Sequence, residues 1–228
     1  MSSDEQQILT LTSELKLPLM TLPIKMSLVR VGEKVVMISP LPDLERFKTE
    51  IDAFGVPTDI VAPNLFHSSG VEAAAELYPT ARIWGVKGFA RKRPQIAWQA
   101  VLGEGEWPFS QELSMFEIEG MPKFNEVVFL HRPSKTLIAT DLCFNHLNGT
   151  GFGYWLVFNL FGTYRRFAVS RLFLKMVKNR ESFNRSISQL LESDFENIIM
   201  AHGLNVTGSA KEKLVLALKE KLPAFSYP

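Results

Sequence analysis

Three polar residues, each closing an apolar run, constrain this chain most: His67 after Asp59-Ile-Val-Ala-Pro-Asn-Leu-Phe66, Asp141 after Thr136-Leu-Ile-Ala-Thr140, and His202 after Asn197-Ile-Ile-Met-Ala201. Short apolar runs of this kind read as buried strands. Strand ends feeding loops are where layered α/β proteins gather groups from distant parts of the chain. Two imidazoles and a carboxylate placed this way could converge and supply a metal site.

The segments between them set the architecture. Pro23 to Val31 and Val35 to Ser39, joined by Gly32-Glu-Lys, read as a hairpin. Asp43 reads as the N-cap of a helix ending at Phe54, with Gly55 as its stop. A strand to Pro63, a helix over 70–78 and a strand over 81–86 make a βαβ unit with parallel pairing. Leu113–Ile118, Glu126–Leu130 and Lys135–Thr140 read as consecutive antiparallel strands. Residues 153–191 read as two or three helical pieces, 197–201 as a strand and 209–221 as an amphipathic helix. The first 20 or so residues read as a polar, frayed N-terminal segment, and the whole 228-residue chain as a single domain. These periodicities fit either a four-layer sandwich or a doubly wound sheet.

The order of the segments resembles the metallo-β-lactamase-like fold superfamily. Its first metal motif, His-x-His-x-Asp-His, aligns with Ala62-Pro-Asn64-Leu-Phe66-His67; Leu137-Ile-Ala-Thr-Asp141 matches the strand ending in a metal-bridging Asp, and Ile198-Ile-Met-Ala-His202-Gly203 the last strand ending in His. Val61-Ala-Pro-Asn64, the run 87–94, Glu126 to Pro133 and Asp141-Leu-Cys-Phe-Asn145 further resemble an uncharacterised branch, the domain family of unknown function numbered 4336 (DUF4336). The resemblance spans roughly residues 22 to 206 and implies an α/β class fold, the four-layer α/β/β/α sandwich of metallo-β-lactamase type, with an added helical segment near 150–190.

It also implies a depleted site. The opening two His positions fall at Ala62 and Asn64, the mid-chain His expected near Gly120-Met-Pro122 is absent, and Phe66 replaces the Asp. His67, Asp141 and His202 remain as ligands for one divalent metal (Zn, Fe or Mn), or for none; Asn64 and Glu126 stand as groups that orient the ligands, and His146, five residues after Asp141, as a substitute ligand. His131, before Arg132-Pro133, reads as a surface turn residue, and Cys143 as a small buried one.

Composition narrows the partners. With 25 basic and 24 acidic residues there is no global field to attract nucleic acid. One cysteine excludes an internal disulfide and a thiolate cluster, which with no signal peptide suggests a cytoplasmic protein. Lys87, Arg91, Lys92 and Arg93 form a weak anion-binding candidate. The apolar and basic stretch 152–178 suggests a homodimer, or contact with a membrane surface as the weaker reading. Two functions follow: a mononuclear metal-dependent hydrolase acting on an unknown small molecule, or a non-catalytic binding or scaffold protein that lost its metals and interacts through 150–190.

Overall fold

The computed structural model describes residues 6–17, 20–147 and 151–222. One sheet runs in chain order: β1 (Ile8–Leu17), β2 (Met20–Val31), β3 (Lys34–Ile38), β4 (Asp59–Ala62), β5 (Arg82–Gly85) and β6 (Ala100–Val101). Its first three strands pair antiparallel and the rest parallel. β7 (Leu113–Glu117), β8 (Val127–His131) and β9 (Thr136–Ala139) form an antiparallel meander in the second sheet. A two-stranded ribbon joins β10 (Phe144–Asn145) to β11 (Phe167–Ala168), and β12 (Asn197–Met200) lies parallel to β9.

The helices are α1 (Lys48–Phe54), α2 (Val71–Leu77), α3 (Phe89–Lys92), α4 (Phe152–Phe161), α5 (Arg171–Lys175), α6 (Arg180–Glu192) and α7 (Ala210–Lys221). Strand alternation divides the interior. Val127 and Phe129 of β8 join the core shared with the first sheet, whereas Val128 and Leu130 face a second core built from α6 and α7. α6 fills that core with Phe183, Ile187, Leu190 and Leu191, one face at helical spacing, each worth roughly 1.5–3 kcal/mol when fully buried. α1 and α2 bury Ile51, Phe54, Val71 and Ala74 against the first sheet. The layers are α/β/β/α, as expected.

Register explains how distant residues meet. β12 pairs with β9 so that Met200 lies opposite Ala139, and Ala201 N–H donates to the Ala139 carbonyl at 3.1 Å. The two strands end together, which puts Asp141 and His202 on one edge. On the first sheet Ile38 lies opposite Val61 and Ser39 N–H donates to the Val61 carbonyl, so the chain after β3 leaves beside the loop carrying Asn64 and His67. Val127 N–H donates to the Pro63 carbonyl and Leu65 N–H to the Phe124 carbonyl, tying that loop to the second sheet.

Several expectations are corrected. Residues 8–17 are not frayed: β1 pairs with β2 over its full length, and Ile8, Leu9 and Leu11 pack on the core. Backbone pairing orders a segment whose composition looked solvated. The stretch after Asp43 starts as a 3-10 turn (Leu44–Phe47), and the Asp43 carboxylate accepts from Ser13 and Arg46 instead of capping a helix. The helical region contains β11, and part of the basic run forms α3. His131 is fully buried, because β8 is covered on both faces to its last residue; its Nδ1 contacts Ser134 Oγ at 2.7 Å.

Candidate metal centre

The three strand-end residues come together. One ligand atom from each of His67, Asp141 and His202 lies within 4.8 Å of the others, and among the described residues this is the only such group of three. His67 Nε2 is 3.2 Å from Asp141 Oδ2, and His202 Nε2 is 3.5 Å from Asp141 Oδ1. The imidazole centroids are 5.2 Å apart. Two ligands roughly 2.0–2.2 Å from a shared tetrahedral ion stand about 3.3–3.6 Å apart, and the two imidazole–carboxylate separations, each to a different oxygen of Asp141, lie close to that spacing.

Each side chain is held from behind. His202 Nδ1 donates to the Pro23 carbonyl at 3.1 Å. A carbonyl only accepts, so the proton sits on Nδ1 and, in the neutral ring, Nε2 turns a lone pair towards the Asp141 carboxylate. Two electron-rich atoms facing each other need a cation, either a second ring proton or a metal. His67 Nδ1 contacts Ser39 Oγ at 2.7 Å. Ser39 takes a left-handed backbone (φ 57°) at the end of β3, an uncommon conformation for a non-glycine residue that aims its hydroxyl at the site.

Asn64 links the loop to both carboxylates. The two N–H of its Nδ2 are shared among Glu126 Oε2 at 2.6 Å, Thr140 Oγ1 at 2.9 Å and Asp141 Oδ2 at 2.9 Å, while its Oδ1 accepts from the backbone N–H of Phe66 and His67. Fully engaged and fully buried, Asn64 offers no free ligand atom, and Ala62 has none. Glu126 is also buried. Its Oε1 accepts from the backbone N–H of Thr140 at 3.1 Å and of Asp141 at 2.9 Å, fixing the turn that presents Asp141.

The two carboxyls separate in charge. Burial pushes the Glu126 carboxyl well above its usual range, and the Asp141 charge adds to the rise. Burial would raise Asp141 as well, but when the imidazoles are protonated the charge of His67 and hydrogen bonds from both rings outweigh it and hold the carboxyl below its usual range. A carboxylate kept ionised between two imidazoles, each anchored through its other nitrogen, is the donor set that a divalent cation requires. The residues fit a single metal ion.

Other candidates lie elsewhere. His146 is 1% exposed and its ring packs 4.0 Å, centroid to centroid, from Phe158, outside the group of three. Among the described residues neither ring nitrogen has a hydrogen-bond partner, and burial, aided by the His202 charge, pulls its pKa down to about 3. In the basic run, Lys87 faces Glu104 at 3.9 Å, and Lys92 bonds the Leu65 carbonyl and covers the Phe66 ring. Cys143 is buried, and burial raises its thiol pKa. Ser39, the Pro23 carbonyl and Lys25 are site groups that sequence reasoning missed. Lys25 donates to the Gly203 carbonyl at 3.0 Å and to Asn205, and burial pulls it down to about 8.

A cleft of about 450 Å³ opens onto the triad, walled by Leu22, Ile24, Leu41, Phe66 and Phe124. Among the described residues no helix is long and apolar enough to cross a membrane.

No family model matches the chain, which leaves the resemblance to the family numbered 4336 without support, and no curated protein matches it. Solved structures do. A DIM-1 metallo-beta-lactamase exposed to ceftazidime superposes with a TM-score of 0.66 at 13% identity, over 96% of each chain. A metallo-beta-lactamase from Pontibacter korlensis gives 0.63 at 15% identity, again over 96% of each. FIM-1 from Pseudomonas aeruginosa, in a mono-zinc form, gives 0.64 at 14% identity over 94% of this chain and 92% of that one. Identities this low speak for architecture alone: the chain has the metallo-β-lactamase fold.

Proposed function

We propose that this protein binds one divalent metal ion through His67, Asp141 and His202 and is a mononuclear metal-dependent hydrolase of a small molecule. The observation that carries the reading is His202: its Nδ1 proton is committed to the Pro23 carbonyl, so Nε2 and the ionised Asp141 at 3.5 Å face each other as a pair of donors. Zinc, iron and manganese all suit two imidazoles and a carboxylate.

When bound, such an ion polarises a carbonyl or phosphoryl oxygen and makes water acidic enough to attack near neutral pH. The chain's own residues do the rest. Ser39 and Pro23 fix the ring planes of His67 and His202, and Asn64 holds Asp141 Oδ2 at 2.9 Å. Phe66 and Phe124, with centroids 5.0 Å apart, line the cleft beside the triad. With Asn64 and Ala62 in place of imidazoles, no second ion has ligands on that side, so stabilisation of the leaving group falls to protein groups.

The test is uptake of cobalt(II) followed by visible absorption, alongside a hydrolysis screen. A four-coordinate spectrum lost in Asp141→Ala, with hydrolysis lost in step, supports the reading. No spectrum in the unmodified protein refutes it.

A second reading has its own support. α4 carries no charged residue and exposes Phe152, Trp155, Leu156 and Leu160, an apolar face of the kind that interaction surfaces use. On that reading the protein is a non-catalytic scaffold, paired with a second copy through 152–178. It predicts no metal-dependent turnover.

A further inference from the structure

The triad sits where two apolar clefts meet. Besides the 450 Å³ cleft, a branch of about 180 Å³ runs under α4, lined by Val157, Phe158, Phe161 and Phe173. Both branches include Leu22, Phe124, Leu172, Asp141 and His202 in their walls. A ligand filling both would place its middle against the triad and an apolar arm on either side.

The polar groups in the walls are few and mostly committed. Lys25, the one cation lining the larger branch among the described residues, is bonded to Gly203 and Asn205. No Lys or Arg lines the smaller branch. Ser39 is held by His67, and Ser170 Oγ accepts from the Leu172 N–H. An anionic arm in either branch would face hydrocarbon with no Lys or Arg beside it except the bonded Lys25, and a sugar would leave hydroxyls against Phe and Leu with their hydrogen bonds unmet. An uncharged carbonyl flanked by hydrocarbon meets neither penalty.

Resting on the metal-site reading above, we infer that the substrate is an uncharged carboxylic ester with an apolar group on each side of the carbonyl, one arm in each branch. In its hydrolysis the water oxygen bonds to the carbonyl carbon, the acyl C–O bond breaks, and the alkoxide takes a proton from the water. An acid and an alcohol leave, and no other reactant is consumed. Leu15, Phe66 and Leu172, 39%, 55% and 47% exposed, line the mouth of the larger branch and suit an apolar ligand arriving from outside.

The test separates this inference from metal binding by using chelator-treated protein and a ligand that cannot be hydrolysed. Nonan-5-one, a ketone with two butyl arms, is titrated into isotopically labelled protein and followed by NMR. Shifts at both Ile24 or Met176 and Val157 or Phe161 are expected. Phe161→Asp and Met176→Asp should each weaken binding at least about tenfold, while butanone, with short arms, binds weakly to all three proteins. Phe161 and Met176 are only partly buried, and the wild-type shifts need no variant at all. Shifts confined to one branch, variants that bind as the parent does, or hexanoate binding more tightly than the ketone would each overturn the inference. If ketone binding stands but cobalt uptake fails, the two-armed apolar ligand survives as what the clefts bind, and the hydrolase reading, with the ester as its substrate, does not. Once metal is loaded, butyl pentanoate should be cleaved with a higher kcat/KM than methyl acetate.

Discussion

His146 makes a quantitative test of the fold around the site. It is 1% exposed, surrounded by Phe144, Tyr154 and Phe158, and among the described residues neither nitrogen has a partner to stabilise a charge. Its pKa falls from an ordinary 6.5 to about 3 in the folded chain, burial being the larger cause. The sign follows from linkage: above pH 6.5 the ring is neutral in both states and stability is unaffected. As pH falls from 6.5 towards 3 only the unfolded chain takes up the proton, so stability drops by about 1.36 kcal/mol per pH unit. At pH 5 this amounts to about 2 kcal/mol, or a roughly thirtyfold shift in the folding equilibrium. His146→Leu keeps the volume close and removes two unpaired polar atoms, so near pH 7.5 it should be as stable as the parent or more so. Urea unfolding of both proteins at pH 7.5 and pH 5 gives the double difference, which cancels every other titrating group. The variant should lose about 2 kcal/mol less than the parent on acidification. Equal losses would show that His146 is not buried as a neutral ring, and would refute the reasoning.

His202→Ala should lower metal content per folded chain far more than His131→Ala, read by elemental analysis, because His131 is buried away from the triad; equal losses would reject the ligand assignment. Gly203→Ala should cost about 2–3 kcal/mol in urea unfolding, since φ is +95° and a Cβ would lie 2.3 Å from the Asn145 carbonyl oxygen; an unchanged midpoint would show that the His202 turn has room to relax. The exposed face of α4, with Phe152 74% and Leu160 66% exposed, suggests a homodimer through 152–178. Light scattering should give a dimer mass that Trp155→Asp abolishes, and a monomer at every concentration would dismiss it.

Legibility in the sequence followed the scale of the interaction. The runs ending at His67 and Asp141 were readable because burial on both faces of a strand leaves a continuous apolar signature, and the run ending at His202 because its half-covered face also carries Ile199. Asn64 and Glu126 could be named only through resemblance, since their roles depend on contacts across 62 residues. Ser39 and the Pro23 carbonyl gave no signal, one because a left-handed φ has no composition and the other because a backbone acceptor has no residue type. β1 was missed because its order comes from pairing with β2, and only Ser13 of its ten residues is buried. His131 was misplaced because its turn neighbours are polar, although β8 is covered on both faces through that position. Lys25 and the two-branched cleft arise from packing between distant elements, which no local pattern encodes.

The central claim is a single ion on three ligands. Protein expressed without a metal-binding tag and without added metal, measured by elemental analysis against protein concentration, tests it most directly. About one equivalent of zinc, iron or manganese per chain is expected, as the donor set has room for one ion. Values near zero or near two would contradict it.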